Sequence, residues 1–294
     1  MRFTLKQLQA FVAAAQDSNV SQAAKALSLS QSAVSTALAE LEHHIGRPLF
    51  DRIGKRLQLN ETGKQLLPRA INLLAQAEEL EQYARSGEAT GNFRIGATLT
   101  IGNYLAARLI SEYMQIYAQS RIQLKVANTS QIIDGMRRFD IDVGLIEGEC
   151  FDPEIQTLPW CDDEMVVFCA PDHRLARCAE VGLEDLAREA WILREPGSGT
   201  RALFDRAVTG RLSQLNVRLE LEHTEAIKRA VESGLGIGCI SRLALREAFR
   251  RGSLVEIATP YFDLRRHFYF LLHRQRQLTQ GVDLFLELCR HARY

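Results

Sequence analysis

No stretch of this 294-residue chain approaches the roughly 20 consecutive apolar residues that a membrane-spanning helix needs, so no association with a membrane is expected. Excess charge of one sign is also missing, since 36 Lys and Arg balance 36 Asp and Glu. That neutrality gives no whole-chain argument for a polyanionic partner and turns attention to local charge. The six cysteines, Cys150, Cys161, Cys169, Cys178, Cys239 and Cys289, form no CxxC pair and no metal-ligand spacing. A structural metal site and a disulfide framework are therefore not expected, and scattered thiols read first as small buried hydrophobes. Also missing are a Ser-His-Asp order, a metal cluster and a phosphate loop in its proper context, so the expectation is not an enzyme, with no cofactor and no metal. What remains is 46% hydrophobic residues, an ordinary proportion for a globular chain.

The first residues, MRFTLKQLQAFVAAAQDSN, place Leu5, Leu8, Phe11 and Val12 at helical spacing with polar residues between. Such a pattern predicts a folded amphipathic helix over a signal peptide, and hence a cytoplasmic protein. Val20 to Arg52 then reads as two short helices joined by a tight polar turn, with Ser21 and Ser30 as N-caps. In the second helix Val34, Leu38, Leu41 and Ile45 make one apolar stripe, while Gln31, Ser32, Ser35 and Thr36 lie opposite. Short hydrogen-bonding side chains on an exposed helix face suit the major groove of double-stranded DNA. Ser21 and Gln22 at the start of the first helix join this candidate DNA-binding set. Small alanines at 23, 24 and 26 let the helices cross closely. The stretch from Asp51 to Leu59 predicts a β-wing, and Arg47, Arg52, Lys55 and Arg56 are candidates to hold phosphates beside the groove. Residues 1–60 carry seven Lys or Arg against four Asp or Glu, so a basic head hides in a neutral chain. The adjacent His43 and His44 are expected on the surface or at the DNA backbone.

Between Glu61 and Ser86, Leu66, Ala70, Leu73, Ala77, Leu80 and Ala84 step by alternating fours and threes, a heptad seam. Pro68 fits this helix if it lies in the first turn. Packing on the chain's own body would satisfy such a seam, but a helix-turn-helix that reads a palindrome needs two copies, which favours a homodimer. Ser86 to Gly91 predicts the end of the helix and a hinge.

From Asn92 onward strands and helices alternate. Strands are expected at 93–97, 123–127, 143–147, 165–170, 191–193, 218–221, 237–241 and 268–273. Helices are expected at 101–118, 131–139, 183–189, 200–209, 225–233, 243–250 and 280–291. This order predicts an α/β domain with a mostly parallel, doubly covered sheet. Ligand sites in such domains lie where strands end and helices begin. Three stretches qualify. The first is Thr98, Thr100, Ile101, Gly102 and Asn103, whose hydroxyls and helix-start amides make an anion seat. The second is Thr129, Ser130 and Gln131, where Ser130 is equally an N-cap; the third is Arg194, Ser198, Gly199, Thr200 and Arg201, with either arginine as the cation. Glu147, at another strand end, is read either as a partner for a ligand donor or as a cap. Gly234-Leu235-Gly236-Ile237-Gly238 mimics a dinucleotide loop, but it follows a helix and leads into a strand, the reverse of that fingerprint's context.

Phe3, Leu5, Leu8 and Phe11, then Ser21-Gln22-Ala23-Ala24, Leu27, Ser30 to Ser35, Leu41-Glu42, Gly46, Leu49-Phe50, Arg52 and Thr62-Gly63 resemble the N-terminal signature of LysR-type transcriptional regulators. The family often has Pro and Arg where this chain has Ser32 and Thr36. That resemblance implies an N-terminal winged helix-turn-helix over 1–60, a long linker (dimerisation) helix and hinge over 61–90, and a two-lobed effector-binding domain over 91–294. That domain is similar to periplasmic solute-binding proteins, with lobe I at about 91–160 and 262–294 and lobe II at about 161–261. It further implies a small effector between the lobes and a homotetramer built from two kinds of dimer. The GNYLA, LIEGEC, ILREPGSGTR and EAIKRAVESGLGIGCISR segments are similar to the sulfite-responsive, sulfur-assimilation branch of the family. From the residues alone, a small carboxylate suits the hydroxyls, amides and arginines as well as sulfite does, and thiol oxidation is a third signal. An enzyme or a transport-type solute-binding protein on the same two-lobed α/β body is the alternative from another class.

Overall fold

The structure, a computed structural model, describes residues 2–17, 19–53, 56–86, 91–178, 181–210 and 215–292, and of residues 52, 53, 56 and 86 the backbone alone. The head comprises α1 (Leu5–Asp17), α2 (Val20–Ala26), α3 (Gln31–Ile45) and a wing of β1 (Phe50–Ile53) paired antiparallel with β2 (Arg56–Leu59). Val34, Leu38 and Leu41 are buried against Leu8, Phe11, Ala14, Ala23 and Ala24, so the apolar stripe of α3 builds the core that its period predicts. Ala23 and Ala24 sit at the helix crossing, whereas Ala26 is exposed. Ser30 caps α3, its hydroxyl accepting from the Ala33 amide at 3.1 Å. The cap of α2 is Asn19 and not Ser21: the Asn19 Oδ1 accepts from the Ser21 amide at 2.8 Å, because Val20 already belongs to the helix.

Two tight contacts join the wing to what surrounds it. The Glu42 carboxylate accepts from the Leu49 amide at 2.7 Å and the Phe50 amide at 3.4 Å, which holds the turn after α3. A Cβ at Gly63 would stand 2.2 Å from the Leu49 carbonyl oxygen, so only glycine lets the next helix start this close. That helix, α4 (Glu61–Ser86), has 26 residues and a length of about 39 Å. Pro68 lies inside it as the eighth residue and not in its first turn; the helix begins earlier because Asn60 accepts from the Gly63 amide at 2.9 Å. Along the expected seam, Ala70 is buried in the head core and Leu66 packs against it. Ala77 is half-buried, while Leu73, Leu80 and Ala84 are exposed, with Leu80 at 69% and its neighbour Tyr83 at 60%. Of the expected hinge, residues 87–90 lie outside the described residues.

The remaining strands are β3 (Asn92–Ala97), β4 (Arg121–Val126), β5 (Val143–Glu147), β6 (Ile155–Cys169), β7 (Ala190–Arg194), β8 (Asn216–Leu221), β9 (Ile237–Ser241), β10 (Val255–Ile257) and β11 (Arg265–His273). Between them run α5 (Leu99–Ile101), a π-helical turn (Gly102–Ala106), α6 (Ala107–Ile116), α7 (Thr129–Arg137), α8 (Leu183–Arg188), α9 (Gly199–Val208), α10 (Thr224–Glu232), α11 (Arg242–Arg251) and α12 (Gln280–His291). Strand order among the described residues is β4-β3-β5-β11-β6-β9-β7-β8, with β10 also on β6. The outer strands of each lobe pair in parallel, as expected, but β6 and β11 run antiparallel to their neighbours. The sheet is thus mixed, because two long strands cross between the lobes in opposite senses. The first half of β6 and all of β10 escape the sequence reading: residues 156–164 are exposed or half-buried with no clean apolar–polar alternation, and they contain Pro159.

Each lobe covers both faces of its strands. In lobe I, Phe93, Ile95, Leu145, Phe270 and Phe285 pack beneath α6 and α12, while Ile132, Met136, Ile146 and Leu271 fill the side of α7. In lobe II, Trp191, Phe204 and Val167 occupy one face and Phe168, Ile227 and Leu245 the other. The expected glycine-rich turn lies between α10 and β9, and a Cβ at Gly236 would meet the Ala190 carbonyl oxygen at 2.1 Å. It is a helix-to-strand turn and no phosphate cradle.

Candidate functional site

The C-terminal ends of the parallel strands converge between the lobes. Glu147 ends β5, and its carboxylate accepts from the Thr100 amide at the start of α5 (2.8 Å) and the Thr200 hydroxyl at the start of α9 (2.9 Å). Arg266, on β11, reaches the same carboxylate with Nη1 at 3.3 Å and also donates to the Thr200 hydroxyl at 2.9 Å. The Arg266 Nε donates to Asp163 of β6 at 2.7 Å, and Asp163 accepts from the Ser241 hydroxyl at 2.7 Å. Glu147, Asp163 and Arg266 are all buried, so these are charge-assisted bonds in a dry setting. Burial by itself pushes the Glu147 carboxyl up, but Arg266, the Thr100 contact, Arg194 and Thr200 together outweigh it and hold it below the ordinary carboxylate range.

Around that centre several buried groups find no hydrogen-bond partner among the described residues: the Thr129 and Ser198 hydroxyls and the Arg266 Nη2. A Cβ at Gly199 would fall 2.1 Å from the Glu147 carbonyl oxygen and 3.2 Å from the Thr129 hydroxyl, which puts the β7–α9 loop directly over both. Buried polar groups are nearly always paired, with protein, water or ligand, so this cluster is the candidate effector site.

Of the expected effector set, the structure gathers Thr100, Thr129, Glu147, Ser198, Gly199 and Thr200, with Arg194 buried nearby. Other members stand elsewhere. Thr98 turns its hydroxyl to the Leu145 carbonyl (3.4 Å), Ile101 is buried in the lobe I core, and Gly102 packs against Val126. Asn103 is exposed, and Gln131 forms a capping box with Asn128, which takes the N-cap role allowed for Ser130. Ser130 has its hydroxyl beside Gly197 across the lobes. Arg194 pairs with Glu195 at 2.8 Å. Arg201 is committed to Asp205, to Glu220 and to the Arg194 carbonyl, which fixes the start of α9. Asp163, Ser241 and Arg266 were missed by the sequence reading. A signal for Arg266 exists: Leu264, Arg266, Phe268 and Phe270 share the buried side of an alternating strand, and a charge among them needs a partner. A second bridge between the lobes joins Tyr104 of the π-turn to Glu225, which also pairs with Lys228 at 2.8 Å.

On the head, Ser21, Gln22, Gln31, Ser32, Ser35, Thr36 and Arg47 all lie away from the buried core, the α3 residues on the face opposite its buried stripe, and His43 and His44 follow them at the end of that helix. The side chains of Arg52 and Arg56, and Lys55 altogether, lie outside the described residues.

The thiols are quiet in comparison. Burial, with Asp163 and Asp162 adding to it, pushes the Cys161 thiol up to about 12, and burial with Glu189 takes Cys169 to about 11. Cys239 and Cys289 are raised further, again chiefly by burial, so these four resist forming the reactive thiolate.

Comparison with known proteins settles the class. Residues 5–64 match the family model for the bacterial regulatory helix-turn-helix protein, lysR family, and residues 86–293 match the LysR substrate binding domain. The chain belongs to the LysR family. It is a LysR-family DNA-binding transcriptional regulator with an effector-binding domain, and its relatives are regulators and not enzymes. The HTH-type transcriptional regulator YeiE of Escherichia coli strain K12 is 45% identical over 292 residues, covering 99% of both chains. The regulatory domain of CcmR from Synechocystis PCC6803, solved in complex with 2-PG, is 30% identical over 68% of this chain and 96% of its own, with a TM-score of 0.64. A full-length OxyR variant from Pseudomonas aeruginosa, 22% identical, covers 99% of this LysR-family chain and 96% of its own at a TM-score of 0.74, a likeness of fold alone.

Proposed function

We propose that this LysR-family regulator binds a palindromic operator through the exposed face of α3, as a homodimer or a homotetramer of two dimer types, under the control of a small anion held between its lobes. The DNA-binding, linker and effector-binding units are taken as 1–60, 61–90 and 91–294, with the lobes meeting near 160 and 262. The observation that carries the effector reading is the buried donor cluster: the Thr100 amide, the Thr129, Ser198 and Thr200 hydroxyls and Arg266, all at strand ends or helix starts. Such donors suit an oxyanion, with sulfite as the leading candidate and small carboxylates as the second. Exposed Leu73, Leu80 and Tyr83 on α4 support pairing of two chains along that helix. An anion that binds one lobe arrangement better than another then shifts the spacing of the two heads, in the cytoplasm where the promoter lies.

A mobility-shift assay on the gene's own upstream region tests both halves. Specific retention is expected, altered by sulfite or a small carboxylate. Ser35→Ala lowers retention with the melting temperature unchanged, and Arg47→Ala flattens the salt dependence by about one phosphate contact. A chain that ignores its own promoter at low salt refutes the DNA reading; retention indifferent to every anion refutes the effector reading.

A further inference from the structure

We infer that the Glu147 side chain is a tethered counterpart of the effector: it occupies the seat of a monovalent oxyanion and must be displaced, charge for charge, when one binds. This rests on the anion reading of the cleft given above. Three features carry it. First, the Glu147 carboxylate is held as a bound anion would be, by a helix-start amide from lobe I (Thr100), a hydroxyl from lobe II (Thr200) and a guanidinium on the crossing strand (Arg266). It therefore joins elements of both lobes through its own two oxygens. Second, the donors left over at the same spot are further donors of the kind an oxyanion takes. The Thr129 and Ser198 hydroxyls and the Arg266 Nη2 are buried without a partner among the described residues. A ligand with three oxygens, or a carboxylate with a neighbouring hydroxyl, engages more of them than the two oxygens of Glu147 do. Third, charge restricts the ligand. Arg266 already serves two buried carboxylates, Glu147 and Asp163, and Arg194 is taken by Glu195. An anion added beside Glu147 would put three negative charges on one cation in a dry site. A monoanion that replaces Glu147 leaves the charge unchanged, whereas a dianion such as sulfate adds one. The class is thus a carboxylate or hydrogen sulfite, and Glu147 sets the selectivity.

Chemical rescue tests this directly. In full-length Glu147→Ala, thermal unfolding followed by tryptophan fluorescence is expected to start well below the wild type. Millimolar acetate or formate restores at least about half of the lost melting temperature, and chloride or sulfate at equal ionic strength does not. Wild type gains little from acetate under the same conditions. Glu147→Gln keeps the shape of the side chain and removes its charge. In that variant the concentration of acetate, or of hydrogen sulfite in mildly acidic buffer, for a half-maximal thermal shift falls at least about tenfold relative to wild type. Failure of acetate to outperform chloride on Glu147→Ala overturns the inference, and so does a Glu147→Gln protein that binds monoanions no tighter than wild type. If Glu147→Ala does not fold, Glu147→Gln alone decides. Rescue together with wild-type operator binding that no anion alters upholds the Glu147 seat and removes the effector reading, so the two fail separately.

Discussion

Replacing Arg266 by Met probes the cleft most sharply, because one guanidinium stands between two buried acids. It is 3% exposed and contributes bonds of 2.7 Å to Asp163, 2.9 Å to Thr200 and 3.3 Å to Glu147. Methionine fills much of the space but strands both carboxylates, a loss of about 3–5 kcal/mol for a broken buried pair. For a domain of this size that lowers the melting temperature by roughly 10 °C. Both tryptophans, Trp160 stacked on Phe270 and Trp191 packed on Phe204, lie in the effector domain, so their fluorescence reports its unfolding without interference from the head. The pH dependence should also change sign. In the wild type the Glu147 carboxyl is depressed, so its stabilisation is complete above the ordinary carboxylate range near about 4.3 and is lost only as pH falls through the lower native value. Between about pH 5 and 7 it contributes no slope. Without Arg266 the strongest opposing influence is gone and burial lifts the carboxyl. Its contribution is then complete below the unfolded value and is lost as pH rises, so the variant is more stable at about pH 5 than at about pH 7 relative to wild type. Urea unfolding at both pH values measures this. A loss under about 1 kcal/mol, or two parallel pH profiles, refutes the electrostatic account of the site.

Three further outcomes follow from the structure. Leu80→Glu, placing a charge on the most exposed leucine of α4, should shift the chain toward monomer in sedimentation velocity while leaving its far-ultraviolet circular dichroism intact. Gly63→Ala drives a Cβ into the Leu49 carbonyl and should destabilise the head by about 1–3 kcal/mol or more, read as a lower first transition in circular dichroism with tryptophan fluorescence unchanged. Iodoacetamide at neutral pH should label exposed Cys178 well before Cys161, Cys169, Cys239 or Cys289; equal labelling of those four would revive thiol oxidation as the signal.

The head was legible almost residue by residue, because a 3.6-residue stripe, a Ser cap and a terminal glycine are local signals. Every expected strand and helix after Asn92 also forms, most with ends shifted by a few residues; the exceptions are β6, which starts ten residues before the expected 165, and the 101–118 helix, which a π-turn interrupts. What stayed hidden is long-range. Nothing near Arg266 in sequence shows that Asp163, 103 residues earlier, and Glu147, 119 residues earlier, meet it. The antiparallel sense of β6 and β11 is hidden for the same reason, since pairing is decided by how the chain crosses between lobes. Arg201 shows the converse failure: its residue type suggested ligand binding, and its neighbours Asp205 and Glu220 claimed it.

The way α4 is fastened has a mechanical consequence. Asn72 exchanges two hydrogen bonds with the 275–277 turn, donating to the Gln275 carbonyl and accepting from the Gln277 amide, and Gln76 donates to the Gln277 side chain. Glu79 accepts from the Gln280 amide at the start of α12, and on the head Gln16 donates to the Phe139 carbonyl. Each of these anchors is in lobe I and none in lobe II among the described residues. Head, stalk and lobe I within one chain are thus tied together, and a shift of lobe II against lobe I would leave the stalk's own fastenings untouched. On the proposed reading, a signal from the cleft would therefore reach DNA through what lobe II presents to a second subunit, since the chain's own stalk is tied to lobe I.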